Sequence, residues 1–552
     1  MVLVYKFEYL SNNSVLINNL HACAKKYDLE YTISKENNLI NLFVEGSLEV
    51  LNVFSNELSH SLPMSIFIKN VEVESVEEFP NVVSETSASE FPLSFCKKCL
   101  TQVENKKDRN YYNPFLFCSH CGQDLKTNEL ILFEGKKEIK KSNNIEYFES
   151  VAQYIHNGKR VKIRTLSGEF IFFKIDEKVA AEDNIKLLCT DLNALQEFFT
   201  VSKEEVIALA CIEKPAIMLH INEATQAKNI FKEKRLNVRY VNDLFLYLLS
   251  LELEKYAIKF LAYTQKGEFD YSFTFSAKKE YKEIPIPEIS VSDNGQILVL
   301  NSRDYDEKLN VAYQQFNEKD KAQFMVLLSE NQLLNKSVLN FYISSKHSDG
   351  TTLYSPKIDG MLDIFNVQLP PCIEDVFNTI KEEPLGSTLV TNYQKAFPEL
   401  FEKALCFDTH TIQKNSVYGL WSMVCVILGF EEDMLTLASD VVLKKGPRVD
   451  YQLNMSDKIF KRQLNIAKVI QSGISYKLAG TSANVIALGY IESFAEFISR
   501  CVDEVEEEMS LDGISFCGDL CANRVISHFI DRSITKKHKI YYNKDFPIQI
   551  NE

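Results

Sequence analysis

The stretch "FCKKCLTQVENKKDRNYYNPFLFCSHCG", Phe95 to Gly122, contains two Cys-x-x-Cys pairs. Eighteen residues separate the last cysteine of the first pair from the first cysteine of the second pair. Each Cys-x-x-Cys turn can direct two thiolates at one point, and the loop between the pairs brings the second pair to the first. Four sulfurs complete a tetrahedral zinc ion and leave no position for a reacting water, so the pattern predicts a structural zinc knuckle. The predicted ligands are Cys96, Cys99, Cys118 and Cys121.

Two other interpretations of the four cysteines are a redox pair and chance spacing. Zinc is favoured because a segment this short and polar has little core of its own, and metal binding would supply the missing folding energy. His120 lies inside "CSHC". We expect it to be a bystander, since the four sulfurs already complete the ligand set.

The bulk composition limits the possible classes of protein. A length of 552 residues corresponds to about three or four domains. The formal net charge of -15 disfavours nucleic acid as a partner, because binding to phosphates depends on clustered Lys and Arg. The "KEKR" and "GKKEIKK" runs are typical of solvated faces or turns.

Three further features of the sequence predict a cytoplasmic protein without membrane insertion. The start "MVLVYKFEYL" does not have the regions of a signal peptide. The longest apolar run, "VYGLWSMVCVILGF", has 14 residues, whereas a membrane helix needs about 20. The nine other cysteines are scattered through mostly apolar surroundings, as buried thiols are in a reducing compartment.

Hydrophobic periodicity divides the chain into four predicted domains. Residues 1–80 alternate short strands with two amphipathic helices in a β-α-β-β-α-β order. Residues 81–142 contain the end of a Ser/Glu/Pro-rich linker, "EFPNVVSETSASEFP", and the knuckle. Residues 143–285 are predicted to be a mixed α/β region, in which Val241–Leu261 has a helix-like pattern. Residues 286–552 begin with strands and then become helical.

This order of parts resembles HypF, the carbamoyltransferase of nickel–iron hydrogenase maturation. The local match that carries the resemblance is the knuckle, in its cysteine spacing and in the "DRNYYNPF" between the pairs. Weaker matches are "VEGSLEVLNVFSNELSHSLP", "LNVRYVNDLFLYLLS", "NSVYGLWSMVCVILGF" and "ISFCGDLCANRVI". The resemblance implies an α/β multidomain fold. Its parts would be an α+β acylphosphatase-like domain, a four-cysteine zinc knuckle, a YrdC-like α/β domain and a Kae1-like domain of the actin type.

The first two domains depart from the HypF pattern at the residues that carry chemistry. The loop "YLSNNSVLIN" has neither the glycines nor the arginine that the resemblance implies for carbamoyl phosphate, and the family's Asn position falls on Lys35. The basic run of the second domain is replaced by "EKVAAEDNIKLLCTDL", and the Thr-Ser-Ala-Asn turn falls on Leu261–Thr264. A "TSAN" at Thr481–Asn484 is interpreted as a chance match inside a helical region. Arg164 is either a relic of a substrate-binding residue or a partner in a surface salt bridge.

The third domain shows the same pattern of loss. The histidine-rich run of the family falls on Lys319–Gln323, where no imidazole can bind a metal. Asp519 stands in "FCGDLCANR" where the phosphate loop has a second glycine, and a carboxylate there would repel a triphosphate. The resemblance also implies an Arg and an Asp on a helix of this domain, and these two positions fall on Gly419 and Ser422. Only Asp349–Thr352, within "SDGTT", resembles a polar turn of the family's site. An ordinary Asp-Gly turn is the favoured interpretation.

Losses at three separate sites indicate that the architecture is retained and the chemistry removed. We therefore predict no catalytic residue and no cofactor-binding residue other than the zinc ligands. The five acids of "VDEVEEEM", Val502–Met509, are interpreted as a solvated helix face. The leading hypothesis is a HypF-like pseudoenzyme that serves hydrogenase maturation by binding a hydrogenase subunit or a maturation factor. The alternatives are an active carbamoyltransferase and a zinc-knuckle protein that binds nucleic acid.

Overall fold

The structure, a computed structural model, describes seventeen ranges of the chain. They are residues 1–11, 13–81, 84–85, 94–118, 123–124, 129–176, 179, 184–276, 283, 286–292, 295–301, 306–358, 360–412, 415–439, 445–454, 460–534 and 538–550. The chain folds as two compact units, Met1–Ile289 and Ser290–Glu552. The predicted domain boundaries inside these units stay predictions.

The N-terminal part of the first unit has the predicted β-α-β-β-α-β order. Its elements are β1 (Val2–Tyr9), α1 (Val15–Lys26), β2 (Glu30–Glu36), β3 (Leu39–Glu45), α2 (Leu48–Ser61) and β4 (Ile68–Val76). The four strands form an antiparallel sheet in the order β2-β3-β1-β4. Tyr5 and Phe7 on β1 are buried on one sheet face, where the ring of Tyr5 packs edge-on against Phe54 of α2. Alternation of apolar residues along β1 and helical spacing along α2 therefore meet in one small core.

The rest of the first unit contains the knuckle and a large mixed sheet. The helices are α3 (Lys97–Glu104), α4 (Asn144–His156), α5 (Leu195–Phe198), α6 (Lys203–Ala210), α7 (Glu223–Gln226) and α8 (Leu244–Glu254). The strands are β5 (Phe117–Cys118), β6 (Gln123–Asp124), β7 (Leu130–Glu134), β8 (Lys137–Ile139), β9 (Val161–Thr165), β10 (Gly168–Lys174), β11 (Lys186–Cys189), β12 (Phe199–Thr200), β13 (Ala216–Ile221), β14 (Arg235–Tyr240), β15 (Phe260–Thr264), β16 (Tyr271–Phe275) and β17 (Glu288–Val291). Strands β5 and β6 pair with each other. The large sheet has the order β17-β13-β14-β11-β15-β10-β9-β16-β7-β8, and β12 pairs with β13.

One sequence prediction in this region was wrong. The helix-like stretch Val241–Leu261 contains α8 followed by the beginning of β15, rather than one helix. Ala257 has a φ of 54°, a left-handed conformation that ends the helical direction of the chain. The apolar run after Ala257 is required in the middle of the sheet, where β15 pairs with β10 and β11. Tertiary pairing therefore overrides a continuous helical pattern.

The second unit is built around a six-stranded sheet with a large helical part. The six strands of this sheet are β19 (Val338–Tyr342), β20 (Gly350–Tyr354), β21 (Met361–Asn366), β22 (Arg462–Gln463), β23 (Gly513–Cys517) and β24 (Ile540–Tyr541), and the unit also contains β18 (Ile297–Asn301), which lies outside the sheet. Its helices are α9 (Asp306–Phe316), α10 (Lys319–Glu330), α11 (Ile373–Glu382), α12 (Gly386–Ala396), α13 (Pro398–Leu405), α14 (Val417–Leu428), α15 (Met434–Ser439), α16 (Ile466–Leu478), α17 (Ala483–Glu508) and α18 (Arg524–Ile534). The sheet order is β22-β21-β20-β19-β23-β24, with β19 parallel to β23 and antiparallel to β20. This arrangement brings the loops after β19 and β23 to the same edge of the sheet.

The longest apolar run of the sequence belongs to the core of the second unit. It forms α14, where Trp421 is fully buried and donates its indole N–H to the hydroxyl of Tyr451 at 2.8 Å. The ring of Phe494 on α17 packs edge-on against the same indole. None of the helices in the described ranges has the length and apolar character needed to cross a bilayer.

Candidate functional site

Three of the four predicted zinc ligands lie together. Cys96 is the N-cap residue of α3, Cys99 lies in the first turn of α3, and Cys118 ends β5. The helix begins directly after Cys96, so the two cysteines of the first pair project from one end of α3. Cys121 and His120 lie outside the described residues.

The sulfur separations fit a single metal ion. The Sγ atom of Cys96 lies 3.7 Å from that of Cys99 and 3.6 Å from that of Cys118. Bonds of about 2.3 Å in a tetrahedral zinc site place the sulfurs about 3.8 Å apart. A disulfide would need about 2.05 Å, and none of the three cysteines forms one. This cluster can hold a metal ion.

The knuckle is packed on the α/β region that follows it. Cys99, Cys118 and their neighbour Leu116 belong to one core cluster with residues of α4 and α8. Tyr112 has a φ of 54° and donates its hydroxyl proton to the carboxylate of Glu252 on α8, a contact that is buried. Burial raises the pKa of Tyr112, so this hydroxyl stays protonated. The "DRNYYNPF" loop is therefore a docking element rather than an exposed reactive loop.

The first departure from the family pattern, the loop after β1, bonds to itself. The side chain of Asn13 accepts the hydroxyl of Tyr9 at 2.6 Å and the backbone N–H of Val15 at 3.1 Å. The hydroxyl of Ser11 accepts the backbone N–H of Asn13 at 3.1 Å. Donors that a phosphate cradle would direct at its ligand are thus used inside the loop. Lys35, at the family's Asn position, lies on β2.

The second set of departures lies on the large sheet. Leu261–Thr264 forms part of β15 and is a strand rather than a turn. Arg164 lies on β9, with its guanidinium 5.0 Å from the ring centre of Phe275. Part of the acidic replacement "EKVAAEDNIKLLCTDL" lies outside the described residues.

The third departure is the most informative, because Asp519 interacts with the loop that follows β19. The Oδ1 atom of Asp519 accepts the Ser344 hydroxyl at 2.9 Å and the Ser345 backbone N–H at 2.8 Å. Its Oδ2 atom accepts the hydroxyl of Ser345. Gly518 has a φ of 93°, and a Cβ there would lie 2.1 Å from the carbonyl oxygen of Ile343. The two loops are therefore in contact. The carboxylate of Asp519 accepts hydrogen bonds from donors that could otherwise face a ligand.

A second carboxyl group of this region, that of Asp349, is only partly exposed. Asp349 accepts the backbone N–H of Ser344 at 2.9 Å and that of Val417 at 2.7 Å. Burial raises the pKa of Asp349 to about 8, and the nearby charges of Asp519 and Asp320 act in the same direction. The negative charges of Asp519 and Asp320, which contribute to this shift, also oppose binding of a polyphosphate nearby.

An open cleft of about 400 Å³ lies beside Asp349, and sequence reasoning missed most of its residues. Its walls include Lys319, Asp320, His347, Asp349 and Asp363. The family's histidine run was assigned to Lys319–Gln323, and no imidazole lies there. The cleft instead contains His347, which comes from the loop after β19 and makes a 3.3 Å hydrogen bond with the carbonyl oxygen of Ile550. A histidine directly before "SDGTT" was the available signal.

The remaining predicted positions are placed apart from this cleft. Thr481–Asn484 spans the start of α17, with Ser482 as its N-cap residue, in a region that is helical as predicted but contains two helices. This follows from Gly480, whose φ of 77° separates α16 from α17. Gly419 and Ser422 lie on α14.

Comparison with solved structures shows which fold the chain has. The crystal structure of T. kodakarensis HypF covers 100% of this chain, with 97% of that chain covered, a TM-score of 0.71 and 12% identity. Full-length HypF in its phosphate- and nucleotide-bound form covers 99% of this chain, with 96% of that chain covered, a TM-score of 0.64 and 12% identity. The chain therefore has a HypF-like fold, an α/β multidomain arrangement of acylphosphatase-like, YrdC-like and Kae1-like parts. The predicted fold class is confirmed.

Sequence comparison identifies particular relatives. Protein HydE of Wolinella succinogenes is 23% identical over 545 residues, which covers 95% of each chain. The probable carbamoyltransferase HypF of Methanocaldococcus jannaschii is 28% identical over 115 residues, 19% of this chain and 15% of that protein. No family model matches the chain. The similarity to HydE thus spans the full length, whereas the similarity to this HypF sequence is confined to a short segment.

Proposed function

We propose that this chain is a HypF-like accessory protein of nickel–iron hydrogenase maturation that no longer transfers a carbamoyl group. It acts by binding a protein partner, either an immature hydrogenase subunit or another maturation factor. The HypF fold over the whole chain and the full-length similarity to HydE support the assignment.

The carboxylate of Asp519 is the observation that carries the proposal. A phosphate loop binds its ligand through N–H and hydroxyl donors that are free in the absence of nucleotide. Here the hydroxyls of Ser344 and Ser345 and one N–H group are already bonded to Asp519. A nucleotide would have to break these charge-assisted bonds and bring its own negative charge next to the carboxylate.

The metal in this proposal is structural zinc, held by Cys96, Cys99, Cys118 and Cys121. Four sulfurs would leave no exchangeable position, so the ion stabilises the knuckle and takes no part in a reaction. The same proposal keeps the four domains at 1–80, 81–142, 143–285 and 286–552 and places the protein in the cytoplasm. The reduced state of the described cysteines is compatible with that compartment.

Calorimetric titration of the purified full-length protein with MgATP tests the loss of chemistry. We expect the wild-type protein to show no saturable binding of MgATP at concentrations up to about 1 mM. A dissociation constant of that size corresponds to a binding free energy of about -4 kcal/mol. The variant Asp519→Gly serves as the matched probe, because it frees the N–H and the hydroxyl of Ser345 and removes the charge. Micromolar binding of MgATP by wild type would refute the proposal.

Complementation tests the role in the cell. Deletion of the gene should lower nickel–iron hydrogenase activity, and wild type and Asp519→Asn should restore it. Cys99→Ser should fail to restore activity because the knuckle loses its metal. A deletion strain with unchanged hydrogenase activity would exclude the maturation role, whatever the nucleotide titration shows.

The cleft beside Asp349 favours a second candidate, an active carbamoyltransferase. A carboxyl group with a pKa of about 8 titrates near neutral pH, as an acid–base catalyst does, and His347 lies in the same cleft. Release of pyrophosphate from ATP in the presence of carbamoyl phosphate would support this candidate over the first. The third candidate, nucleic-acid binding, is opposed by the net charge of -15, and retention in a low-salt filter-binding assay would revive it.

A further inference from the structure

We propose that Asp503, Glu506 and His538 form a second metal site, which binds a divalent transition-metal ion at the C-terminal end of α17. This site is independent of the proposed maturation role and of the cysteine cluster, which lies in the first unit. It assigns a purpose to part of the acidic stretch "VDEVEEEM" that the sequence analysis interpreted as a solvated face.

The fold brings the three side chains together from two elements. Asp503 and Glu506 are three residues apart on α17, so their carboxylates lie on the same side of the helix. His538 follows the end of α18, where its backbone N–H donates to the carbonyl oxygen of Ile534 at 3.3 Å. One ligand atom from each of the three residues lies within 4.8 Å of the other two.

The imidazole of His538 is the observation that points to an ion. Its Nε2 atom is 3.4 Å from the Oε2 atom of Glu506, and its side chain is only 10% exposed. Nevertheless, Nε2 is buried and makes no hydrogen bond within the described part of the chain. A buried nitrogen left without a partner costs about 1–3 kcal/mol. A metal ion between the two side chains removes that cost.

The separation of the two atoms is compatible with a coordination edge as well as with an ion pair of a protonated imidazole. Zinc binds imidazole nitrogen and carboxylate oxygen at about 2.0–2.1 Å, and a tetrahedral angle then places the ligand atoms about 3.3 Å apart. The 3.4 Å between Nε2 and Oε2 matches this edge. A proton shared by the same atoms would require a shorter, aligned contact.

The donor set defines the class of ion. One imidazole and two carboxylates suit Zn²⁺ and the neighbouring first-row divalent ions more than Mg²⁺ or Ca²⁺, which prefer oxygen ligands alone. Two carboxylates balance the charge of a divalent ion. Three protein ligands leave one tetrahedral position open, and Glu506, 42% exposed, keeps the site reachable from solvent.

The neighbouring acid on the same helix is engaged elsewhere. Glu504 forms a 2.8 Å ion pair with Arg462, on a different side of α17. Of the five acids in the stretch, Glu504 therefore faces a cation of the protein, Asp503 and Glu506 lie near His538, and the remaining two are exposed.

Metal counting on the full-length protein tests the site. After equilibration with micromolar free Zn²⁺ and removal of excess, we expect wild type to retain about two zinc ions per chain, one in the cysteine cluster and one here. Glu506→Gln and His538→Gln should each retain about one ion and weaken zinc binding at this site roughly tenfold or more. Glu507→Gln, which changes an exposed acid one position along the helix, is the matched control and should behave as wild type.

A spectroscopic readout separates loss of the ligand from loss of the fold. Cobalt in the cysteine cluster absorbs through sulfur-to-metal charge transfer, which is absent for cobalt bound by oxygen and nitrogen alone. Both variants should keep the charge-transfer band and their circular dichroism while losing the second cobalt ion. Wild type that binds a single ion, or variants that still bind two, would overturn the assignment.

Discussion

The cysteine cluster and the Asp519 loop both gather groups that can carry negative charge, but they differ in what faces those groups. In the cluster, the sulfurs of Cys96, Cys99 and Cys118 approach one another at 3.6 and 3.7 Å. In the loop, the carboxylate of Asp519 is met by N–H and hydroxyl donors of Ser344 and Ser345. Thiolates at the first spacing repel one another unless a cation lies between them, whereas the carboxylate of the loop is already satisfied by the protein.

A binding site for a cation differs from a site that the chain itself has filled in the hydrogen-bond donors that face its anionic groups. Converging anionic groups require a ligand when the protein supplies no donor for them. A loop whose donors are used by its own carboxylate requires none. On this criterion the cysteine cluster can hold an ion, and the proposed loss of the phosphate site rests on the carboxylate of Asp519.

The largest expected effect comes from removing a sulfur of the cluster. Cys99→Ser should release the metal and lower the free energy of unfolding of the first unit by on the order of 4 kcal/mol, because metal binding contributes to folding. Denaturant unfolding together with zinc analysis measures this. Cys406→Ser, at an exposed cysteine, is the control and should change neither quantity. A Cys99→Ser protein of unchanged metal content would show that the cysteine cluster does not hold the metal.

The carboxyl of Asp349 should make stability depend on pH. Its pKa is raised to about 8 in the folded chain, against about 3.9 when unfolded. Between these values the folded state binds a proton that the unfolded state does not, so stability falls as pH rises, by about 1.4 kcal/mol per pH unit. It stops falling above the folded pKa.

Asp349→Asn tests this dependence, because an amide mimics the protonated carboxyl at every pH. From pH 5.5 to 7.5, the stability of wild type should fall by about 3 kcal/mol relative to the variant. Denaturant midpoints of both proteins across this range provide the measurement. Parallel pH profiles would show that Asp349 is ionised in the folded state.

Removal of the internal carboxylate should have an intermediate effect. Asp519→Ala leaves the N–H and the hydroxyl of Ser345 without their acceptor, at a cost of about 2 kcal/mol, whereas the Ser344 hydroxyl keeps Gln549 as an acceptor at 2.8 Å. Glu508→Ala, at an exposed acid, should change stability by less than about 0.5 kcal/mol. If the two variants unfold alike, the carboxylate does not hold the loops together.

The smallest effect concerns how the knuckle is attached. Tyr112→Phe removes the buried hydroxyl that donates to Glu252 and should cost about 1–1.5 kcal/mol without loss of metal. Tyr111→Phe, at the adjacent ring, is the control. Zinc release from Tyr112→Phe would mean that the knuckle holds its metal only while it is packed against α8.

Local patterns predicted much of the fold. The order of β1, α1, β2, β3, α2 and β4 followed from alternation with periods of two and 3.6 residues. The α8–β15 boundary was missed because an apolar run has no periodicity that separates a buried helix from a buried strand. The break between α16 and α17 at Gly480 was missed for a related reason, since a single glycine is tolerated within helical patterns.

The cysteine spacing is visible in the sequence alone, and so is the absence of the charged and small residues that the resemblance to HypF implies. Both observations need only residues that are neighbours in the chain. Tertiary structure decided which groups replace the absent residues. Ser344 and Asp519 are 175 residues apart, and they meet only because β19 and β23 pair in parallel and end at one edge. The same holds for His538 and Glu506, since α18 returns the chain to α17. Contacts of this kind depend on packing between distant segments, and no local periodicity encodes them.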